Sequence, residues 1–174
     1  IGMDESPVTA VRKKKLCSIN ICMDLLKRKQ ADAMVSAGNS GAVTAAAVLN
    51  LGRIPGVLRP AIATVIPTRQ PKRPLLLLDA GANMDCEGTW LAQFAVMGSV
   101  YSVHVLKRTQ PVVGLLSIGT EDCKGNEMTK KAFSLIQKTG VKFRGNIEGN
   151  DLFLGKTDVV VCDGFVGNVV LKTT

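Results

Sequence analysis

The chain has 174 residues, of which 46% are hydrophobic and 21% are charged, which excludes a disordered or collagen-like chain. A chain of this length buries about two thirds of its unfolded surface, so its core needs neither disulfides nor a structural metal. The sequence contains no uninterrupted apolar stretch of about 18 residues and no basic leader before an apolar segment. We therefore expect a soluble, intracellular protein.

The net charge of +8 is concentrated in residues 1–74, which carry 12 basic and 4 acidic side chains, whereas residues 75–174 carry 10 of each. Ten of these 12 basic residues form three clusters, Arg12–Lys15, Lys27–Lys29 and the group Arg69, Lys72 and Arg73. Such clusters suit nucleic acid, an anionic membrane surface or an acidic protein, or form a solvated face. Residues 1–74 contain no Phe, Tyr or Trp to stack on bases, so we expect no nucleic acid partner.

The cysteines and the single histidine limit the chemistry of the chain. Five cysteines without a CxxC pair do not form a disulfide framework or a zinc ribbon. Cys86 and Cys123 lie near glycine-rich turns, but a thiol nucleophile needs a base, and His104 lies in a predicted helix away from both. A Ser-His-Asp hydrolase is disfavoured because His104 is the only histidine. We also expect no cofactor.

Apolar spacing predicts helices and strands in alternation along the chain. It indicates a helix over 8–29, a strand at 32–36 and an Ala-rich helix to about residue 51. The later elements are strands at 61–66, 75–78, 112–118 and 158–162, helices over 88–106 and to about residue 139, a short segment ending at 145–149, and a final helix after residue 163.

Strands that are apolar throughout and alternate with helices indicate an α/β fold, a layered, mostly parallel sheet with helices on both faces. We expect residues 1–174 to form a single α/β catalytic domain. The chain stops a few residues into an apparent helix without a stop signal, so we also expect it to be a piece of a longer polypeptide.

Glycines next to small polar residues follow most of the predicted strands. Parallel strands place their carboxyl ends at one edge of the sheet, where glycine allows close approach and helix N-termini offer N–H groups to an anion. We therefore expect a phosphate-type site at this edge. No GxGxxG follows a strand and no GxxxxGK[ST] is present. Four carboxylates at these turns could in principle hold a divalent metal: Asp79, Glu121, Glu148 and Asp163. Such residues more often cap helices, so we expect no metal.

Several stretches, taken in order, resemble the PlsX family, the bacterial phosphate acyltransferases of phospholipid synthesis. The resemblance covers essentially the whole chain and is most specific at residues 31–42, 59–63, 78–83, 114–121, 124–127, 145–149 and 158–172. The departures are small: Ser40 stands where Thr is usual and Ala80 where Val is usual. Members of the family are longer at both ends, which agrees with the expectation of a fragment.

The resemblance implies a fold similar to isocitrate and isopropylmalate dehydrogenases and to phosphotransacetylase. It implies the transfer of an acyl chain from acyl carrier protein to inorganic phosphate, with acyl phosphate and free carrier protein as products. It also implies a homodimer that is cytoplasmic and peripherally associated with the membrane, through a helical hairpin beyond residue 174. Because acyl carrier protein is acidic, Arg12–Lys15 or the group Arg69, Lys72 and Arg73 could steer its docking.

The resemblance and the local chemistry together assign the site. Phosphate is itself the nucleophile, so the site must bind a dianion and stabilise an oxyanion. Lys124 is the expected cation and Asn168 the expected neutral donor, and both are assigned as catalytic. The candidate phosphate- or substrate-binding residues are the turn residues Gly38, Asn39, Ser40, Gly41, Asp79, Gly81, Asn83, Gly119, Thr120, Gly125, Asn126, Glu148, Asp163 and Gly164.

Two other functions stay open from the residues. One is a phosphotransacetylase-like or dehydrogenase-like enzyme of the same fold, which would use coenzyme A, or a nicotinamide cofactor with a divalent metal. The other is a non-enzymatic anion-binding module, in which the basic segment contacts a membrane or nucleic acid and the glycine turns are structural.

Overall fold

The structure is a computed structural model that describes residues 1–174, and the chain divides into two compact units, Ile1–Pro60 and Ala61–Thr174. We call them the helical unit and the sheet unit. The helical unit contains α1 (Pro7–Lys13), α2 (Ser18–Lys27) and α3 (Ser40–Asn50). Its core is small and consists mainly of side chains from all three helices: Val11, Ile19, Met23, Ala42 and Ala46.

The prediction of one continuous helix over 8–29 is wrong, because the chain turns between α1 and α2. Asn20 Nδ2 donates to the carbonyl oxygens of Val11 at 2.8 Å and Lys14 at 3.0 Å. These carbonyls belong to the C-terminal end of α1, where no further helical turn supplies N–H donors. The turn lets both short helices pack against α3, which one straight helix would not do.

The prediction of a strand at 32–36 is also wrong. The segment has no strand partner, and the side chain of Val35 is 99% exposed. A short apolar run becomes a strand only where a neighbouring strand accepts its backbone hydrogen bonds. The helical unit contains only helices and loops, so the run stays irregular.

The sheet unit is built on one five-stranded sheet of order β1-β2-β5-β3-β4, in which β1 is antiparallel and the other strands are parallel. This confirms the predicted α/β class with a mostly parallel sheet. In chain order its elements are β1 (Ala63–Ile66), β2 (Leu75–Leu78), α4 (Gly88–His104), β3 (Val112–Leu116), α5 (Glu127–Ile136), β4 (Lys142–Ile147), a 3-10 helix (Gly149–Phe153), β5 (Val159–Val161) and α6 (Gly164–Thr173).

The two faces of this sheet carry separate hydrophobic clusters. On one face Leu76 and Leu78 of β2 pack in a cluster with residues of α4 and α5, including Phe94 and Ile136. On the other face Leu77 packs in a cluster with residues of the 3-10 helix and α6. Burial of successive side chains on opposite faces explains why β2 is apolar at every position.

Strand β4 was predicted only as a short segment, because its sequence lacks an apolar run. It lies at the edge of the sheet and pairs with β3 alone. Its outer half carries Lys142 and Arg144, which an edge strand tolerates because one side faces solvent. The pairing shifts register beside Gly114, and Gly145 adopts a φ of 102°, which favours glycine.

An ion pair joins the segments at the amino ends of the parallel strands. Asp158, which is only 3% exposed, precedes β5 and accepts from Arg73 Nη2 at 3.0 Å and from the backbone N–H of Val112 at 2.9 Å. Arg108 Nε lies 3.7 Å from the same carboxylate. Arg73 belongs to a predicted basic cluster, and this contact commits its charge to the fold. None of the helices combines the length and apolar composition that a membrane crossing requires.

We expect Asp158→Ala to lower the free energy of unfolding by about 3 kcal/mol, because it leaves two arginines and a backbone N–H without their buried acceptor. Urea denaturation of the variant and the parent protein measures this change. Asp122→Ala, at an exposed carboxylate in a loop, is the control and should change stability by less than about 0.5 kcal/mol. Equal effects of the two substitutions would contradict the structural role of Asp158.

Candidate functional site

The carboxyl ends of the four parallel strands lie at one edge of the sheet and carry the predicted turn residues. Asp79 follows β2, Ser117 follows β3, Glu148 follows β4, and Cys162 and Asp163 follow β5. This is the edge at which open α/β sheets bind ligands. The loops after β2, β3 and β5 shape two adjoining cavities there.

Asp79 is fully buried and folds the loop after β2 around its carboxylate. Oδ1 accepts from the backbone N–H groups of Ile62 at 2.9 Å, Gly81 at 3.2 Å and Ala82 at 3.0 Å. Oδ2 accepts from the backbone N–H and from the side-chain amide of Asn83, both at 2.7 Å. Five donors hold this carboxylate, so Asp79 and Asn83 shape the site by fixing the loop 79–83.

Helix α6 touches this loop backbone to backbone. The N–H of Gly164 donates to the carbonyl of Asn83 at 2.7 Å. A Cβ at Gly164 would lie 2.5 Å from that carbonyl oxygen, and a Cβ at Gly167 would lie 1.8 Å from the carbonyl oxygen of Asp79. Only glycine fits at these two positions. The contact also brings Asn168 beside Gly81. The side-chain amide of Asn168 makes no hydrogen bond within the chain.

The N-terminus of α6 is already occupied by its own cap. Asp163 Oδ1 accepts from the N–H groups of Phe165 at 2.9 Å and Val166 at 3.0 Å, and Gly164 donates to Asn83. The first three N–H groups of this helix are therefore satisfied within the chain. An anion at this edge must find its donors among side chains or in the other loops.

The loop between β3 and α5 carries Lys124. Its Nζ lies 4.0 Å from Glu121 Oε1, both side chains are well exposed to solvent, and the pair is loose. Gly119 packs against the stem of Lys124, and Thr120 is exposed in the same loop. Asn126 caps α5 by accepting from the N–H of Thr129 at 2.9 Å.

Two residues that sequence reasoning missed act on this loop. Asn146 of β4 is 5% exposed, and its Nδ2 donates to the carbonyl of Glu121 at 2.8 Å, so the strand holds the loop of Lys124 in place. Ser117 begins the loop, and its Oγ is buried without a hydrogen-bond partner. The signal available in the sequence was position alone: a polar residue at the carboxyl end of a buried strand.

A cavity of about 260 Å³ lies between the loop after β3 and the start of α6, and Gly125, Asn126 and Asp163 are among its lining residues. A second cavity of about 480 Å³ adjoins it, shares Asn126 and Asp163, and reaches the segment 84–86 after β2. Glu148 lines neither cavity and instead forms a capping box with Asp151 at the 3-10 helix.

The remaining predicted site residues, Gly38, Asn39, Ser40 and Gly41, lie in the helical unit at the start of α3. Asn39 caps this helix: Oδ1 accepts from the N–H of Ala42 at 3.0 Å, and Nδ2 donates to the carbonyl of Gly2 at 3.1 Å. The N–H of Gly38 donates to Ser36 Oγ at 3.2 Å. Both ends of the Asn39 amide are thus engaged inside this unit.

The two thiols at the sheet edge are protonated at neutral pH. Burial raises the pKa of the Cys86 thiol to about 11 and raises the pKa of the Cys162 thiol further still. Cys162 Sγ also lies 3.7 Å from the carbonyl oxygen of Asp79, to which it donates. A thiolate is the reactive form of cysteine, so neither residue is prepared as a nucleophile. No group of three or more His, Cys, Asp and Glu side chains is arranged to hold a metal ion.

Comparison of the sequence with known proteins gives consistent matches over its whole length. A family model described as "Fatty acid synthesis protein" matches residues 1–174. Proteins named phosphate acyltransferase from Nostoc sp., Trichodesmium erythraeum and Desulforamulus reducens are each 56% identical over 173 residues, which is 99% of this chain. The chain spans about half the length of these curated relatives, 51% in each case.

Solved structures with the same fold include two that act on acyl groups according to their names. A phosphotransacetylase from Streptococcus pyogenes matches with a TM-score of 0.67 at 18% identity, over 86% of this chain and 52% of its own. A branched-chain phosphotransacylase from Enterococcus faecalis matches with a TM-score of 0.60 at 14% identity, over 90% of this chain and 65% of its own. These likenesses confirm the predicted similarity of fold to phosphotransacetylase.

We expect iodoacetamide at pH 8 to alkylate the exposed Cys123 in the folded protein and to leave Cys86 and Cys162 unmodified, because both of these thiols are buried and protonated. Peptide mass mapping with and without urea measures the modification of each cysteine. The pKa of the Cys86 thiol is about 9 in the unfolded chain and about 11 in the folded protein. Between these pH values the unfolded chain loses the proton that the folded protein keeps, so the free energy of unfolding falls as pH rises. Rapid alkylation of native Cys86 would contradict the site geometry.

Proposed function

The chain belongs to the family of fatty acid synthesis proteins, and from this premise we propose that its protein transfers an acyl group from acyl carrier protein to inorganic phosphate. The products are acyl phosphate and free carrier protein, for use in phospholipid synthesis. The identity of 56% to phosphate acyltransferases over 99% of the chain is the observation that carries the proposal. Both units, residues 1–174, would belong to the catalytic domain of the longer protein.

The reaction places three demands on the site. A phosphate oxygen attacks the thioester carbonyl carbon, the carbon–oxygen bond forms, and the carbon–sulfur bond then breaks to release the thiol of the carrier protein. The site must hold a dianion in line with the carbonyl and stabilise the oxyanion formed between the two steps. It needs no protein nucleophile, which suits a sheet edge where both buried thiols stay protonated.

Lys124 and Asn168 are the proposed catalytic residues. The Lys124 ammonium is exposed in the loop after β3, and its only ion pair, with Glu121, is 4.0 Å long, so phosphate would compete for it easily. The Asn168 amide lies beside Gly81 without a hydrogen-bond partner, so it is free to donate to phosphate or to the oxyanion.

The other predicted residues fall into two groups under this proposal. Some build the site: Asp79, Asn83, Asp163, Gly164 and Asn126 fix the loops and helix starts through the hydrogen bonds described above. Direct phosphate or substrate contacts remain proposals for Gly81, Gly119, Thr120, Gly125 and Glu148, and for Gly38, Asn39, Ser40 and Gly41 in the helical unit.

We propose that the carrier protein docks on the helical unit. A cavity of about 590 Å³ in this unit is lined by Arg12, Lys15 and Arg28, of which Arg28 pairs with Asp24 at 2.9 Å. Arg12 and Lys15 have no ion pair and would attract an acidic protein. In the second cluster Arg73 is committed to Asp158, so that cluster is the weaker candidate.

On the basis of the resemblance we also propose that the full-length protein is a homodimer, is cytoplasmic and makes peripheral contact with the membrane surface. The phosphotransacetylase fold favours one alternative function, the use of coenzyme A thioesters as acyl donors. Comparing acyl-carrier-protein and acyl-coenzyme A donors in the same assay separates the two.

We expect the full-length protein to consume acyl-acyl carrier protein only when phosphate is present, and to form acyl phosphate. Lys124→Ala should lower kcat/KM for phosphate about 100-fold, because it removes the cation that holds the dianion. Lys156→Ala, at another exposed lysine of the sheet unit, is the matched control and should behave like wild type. Phosphate-independent turnover would refute the reaction, and full activity of Lys124→Ala would remove Lys124 from the mechanism.

We expect the double variant Arg12→Glu, Lys15→Glu to raise KM for acyl-acyl carrier protein about tenfold at low salt, and less at high salt, because added salt screens the attraction. Initial rates at several ionic strengths measure this effect. The pair Arg69→Glu, Lys72→Glu makes the same charge change in the second cluster and should have the smaller effect. If KM and its salt dependence match wild type in the first variant, the carrier protein docks elsewhere.

A further inference from the structure

The cavity of about 260 Å³ between the loop after β3 and the start of α6 has a distinct chemical character. Most of its wall is apolar and comes from Leu116, Ile118, Met128 and Val166. No lysine, arginine or histidine lines it, and the carboxylate of Asp163 does. A phosphate dianion would meet repulsion there without a compensating cation. The cavity therefore suits an uncharged, largely apolar ligand.

One buried polar group in this wall lacks a partner. Asn126 Oδ1 accepts from Thr129, Asp163 Oδ1 caps α6, and the Cys162 thiol donates to the carbonyl of Asp79. Ser117 Oγ is the only buried side-chain polar atom of the lining without a hydrogen bond. A buried hydroxyl without a partner is costly, and its presence at a cavity indicates a ligand acceptor that it satisfies.

The apolar surface continues from this cavity into the adjoining one of about 480 Å³. Met128 and Val166 line both cavities, and Met84 and Phe165 extend the wall of the second. Phe165 is 59% exposed and Met84 is 50% exposed, although both are large apolar side chains. Together the two adjoining cavities offer a largely apolar path, with the carboxylates of Asp85 and Asp163 at its walls, and the unpartnered Ser117 hydroxyl lies in its first part.

We propose that this path holds the acyl group of the substrate, an inference that rests on the proposed function. The Ser117 hydroxyl donates to the carbonyl oxygen at the reacting end. The first methylenes of the chain lie against Met128 and Val166, and longer chains continue past Phe165 and Met84. Phosphate then binds outside the cavity, at Lys124, which directly precedes the lining residue Gly125 in the chain.

The first test fills the path without altering the proposed phosphate ligand. Val166→Trp places an indole where the two cavities meet, and Val169→Trp adds the same group at an exposed position of α6 outside both cavities. In the full-length protein, Val166→Trp should lower kcat/KM for a sixteen-carbon acyl donor at least about 100-fold and for an acetyl donor only a few-fold. KM for phosphate should stay within about twofold of wild type, and Val169→Trp should match wild type in all three.

The second test removes the donor. Ser117→Ala should lower kcat/KM for the acyl donor about 100-fold at every chain length, without changing KM for phosphate, because the lost hydrogen bond acts on the carbonyl. Ser134→Ala, at an exposed serine of α5, is the control and should be unaffected. Equal kcat/KM for Ser117→Ala and wild type would remove the hydroxyl from the site.

Direct binding separates this inference from the proposed function. Calorimetric titration with octanamide, a neutral amide with an apolar chain, should show binding to wild type and Val169→Trp and none to Val166→Trp. If this pattern holds while no phosphate-dependent turnover is found, the acyl site stands and the proposed reaction fails. If turnover is phosphate-dependent but Val166→Trp binds octanamide and uses long chains like wild type, the reaction stands and this assignment of the acyl path is overturned. Absence of octanamide binding to wild type also overturns it.

Discussion

The candidate site depends on the contact between helix α6 and the loop that follows β2. A side chain at Gly164 or Gly167 would collide with carbonyl oxygens of this loop, at 2.5 Å and 1.8 Å. The carboxylate of Asp79 fixes the same loop from the other side with five hydrogen bonds. Loop and helix thus form one backbone assembly, which sets the position of Asn168 and of the cavity walls on α6.

The polar side chains of the sheet edge fall into two groups: those whose hydrogen bonds hold the loops and helix starts, and those with few or no contacts within the chain. Asp79, Asn83, Asn126 and Asp163 spend their hydrogen bonds on loops and helix starts. By contrast, Lys124 is held only by a loose ion pair with Glu121, and the side-chain amide of Asn168 and the hydroxyl of Ser117 make no hydrogen bond within the chain. The N–H groups at the start of α6 are already satisfied, so the proposed anion site would depend on side chains and on the other loops.

Much of the sheet could be predicted from the sequence, because β2 and β5 are buried on both faces and leave an unmistakable apolar run. The prediction failed where the outcome depends on distant partners. The run at 32–36 has no strand to pair with, and β4 is a strand only because β3 lies beside it. Prediction of the site was limited in the same way. The glycine turns indicated which edge of the sheet carries the site, but the contacts of Asn146 and Ser117 involve a loop and a cavity formed by other segments.

Strand β5 is three residues long, yet it lies in the middle of the sheet and connects the two edges of the unit. Asp158, in the buried ion pair, directly precedes the strand, and Asp163, the cap of α6, is the second residue after it. Three extended residues span only about 10 Å. The strand therefore fixes the distance between Asp158 and Asp163. Insertion of a single residue would turn its side chains to the wrong faces and pull one anchoring carboxylate out of place, so this part of the gene has little room to vary in length.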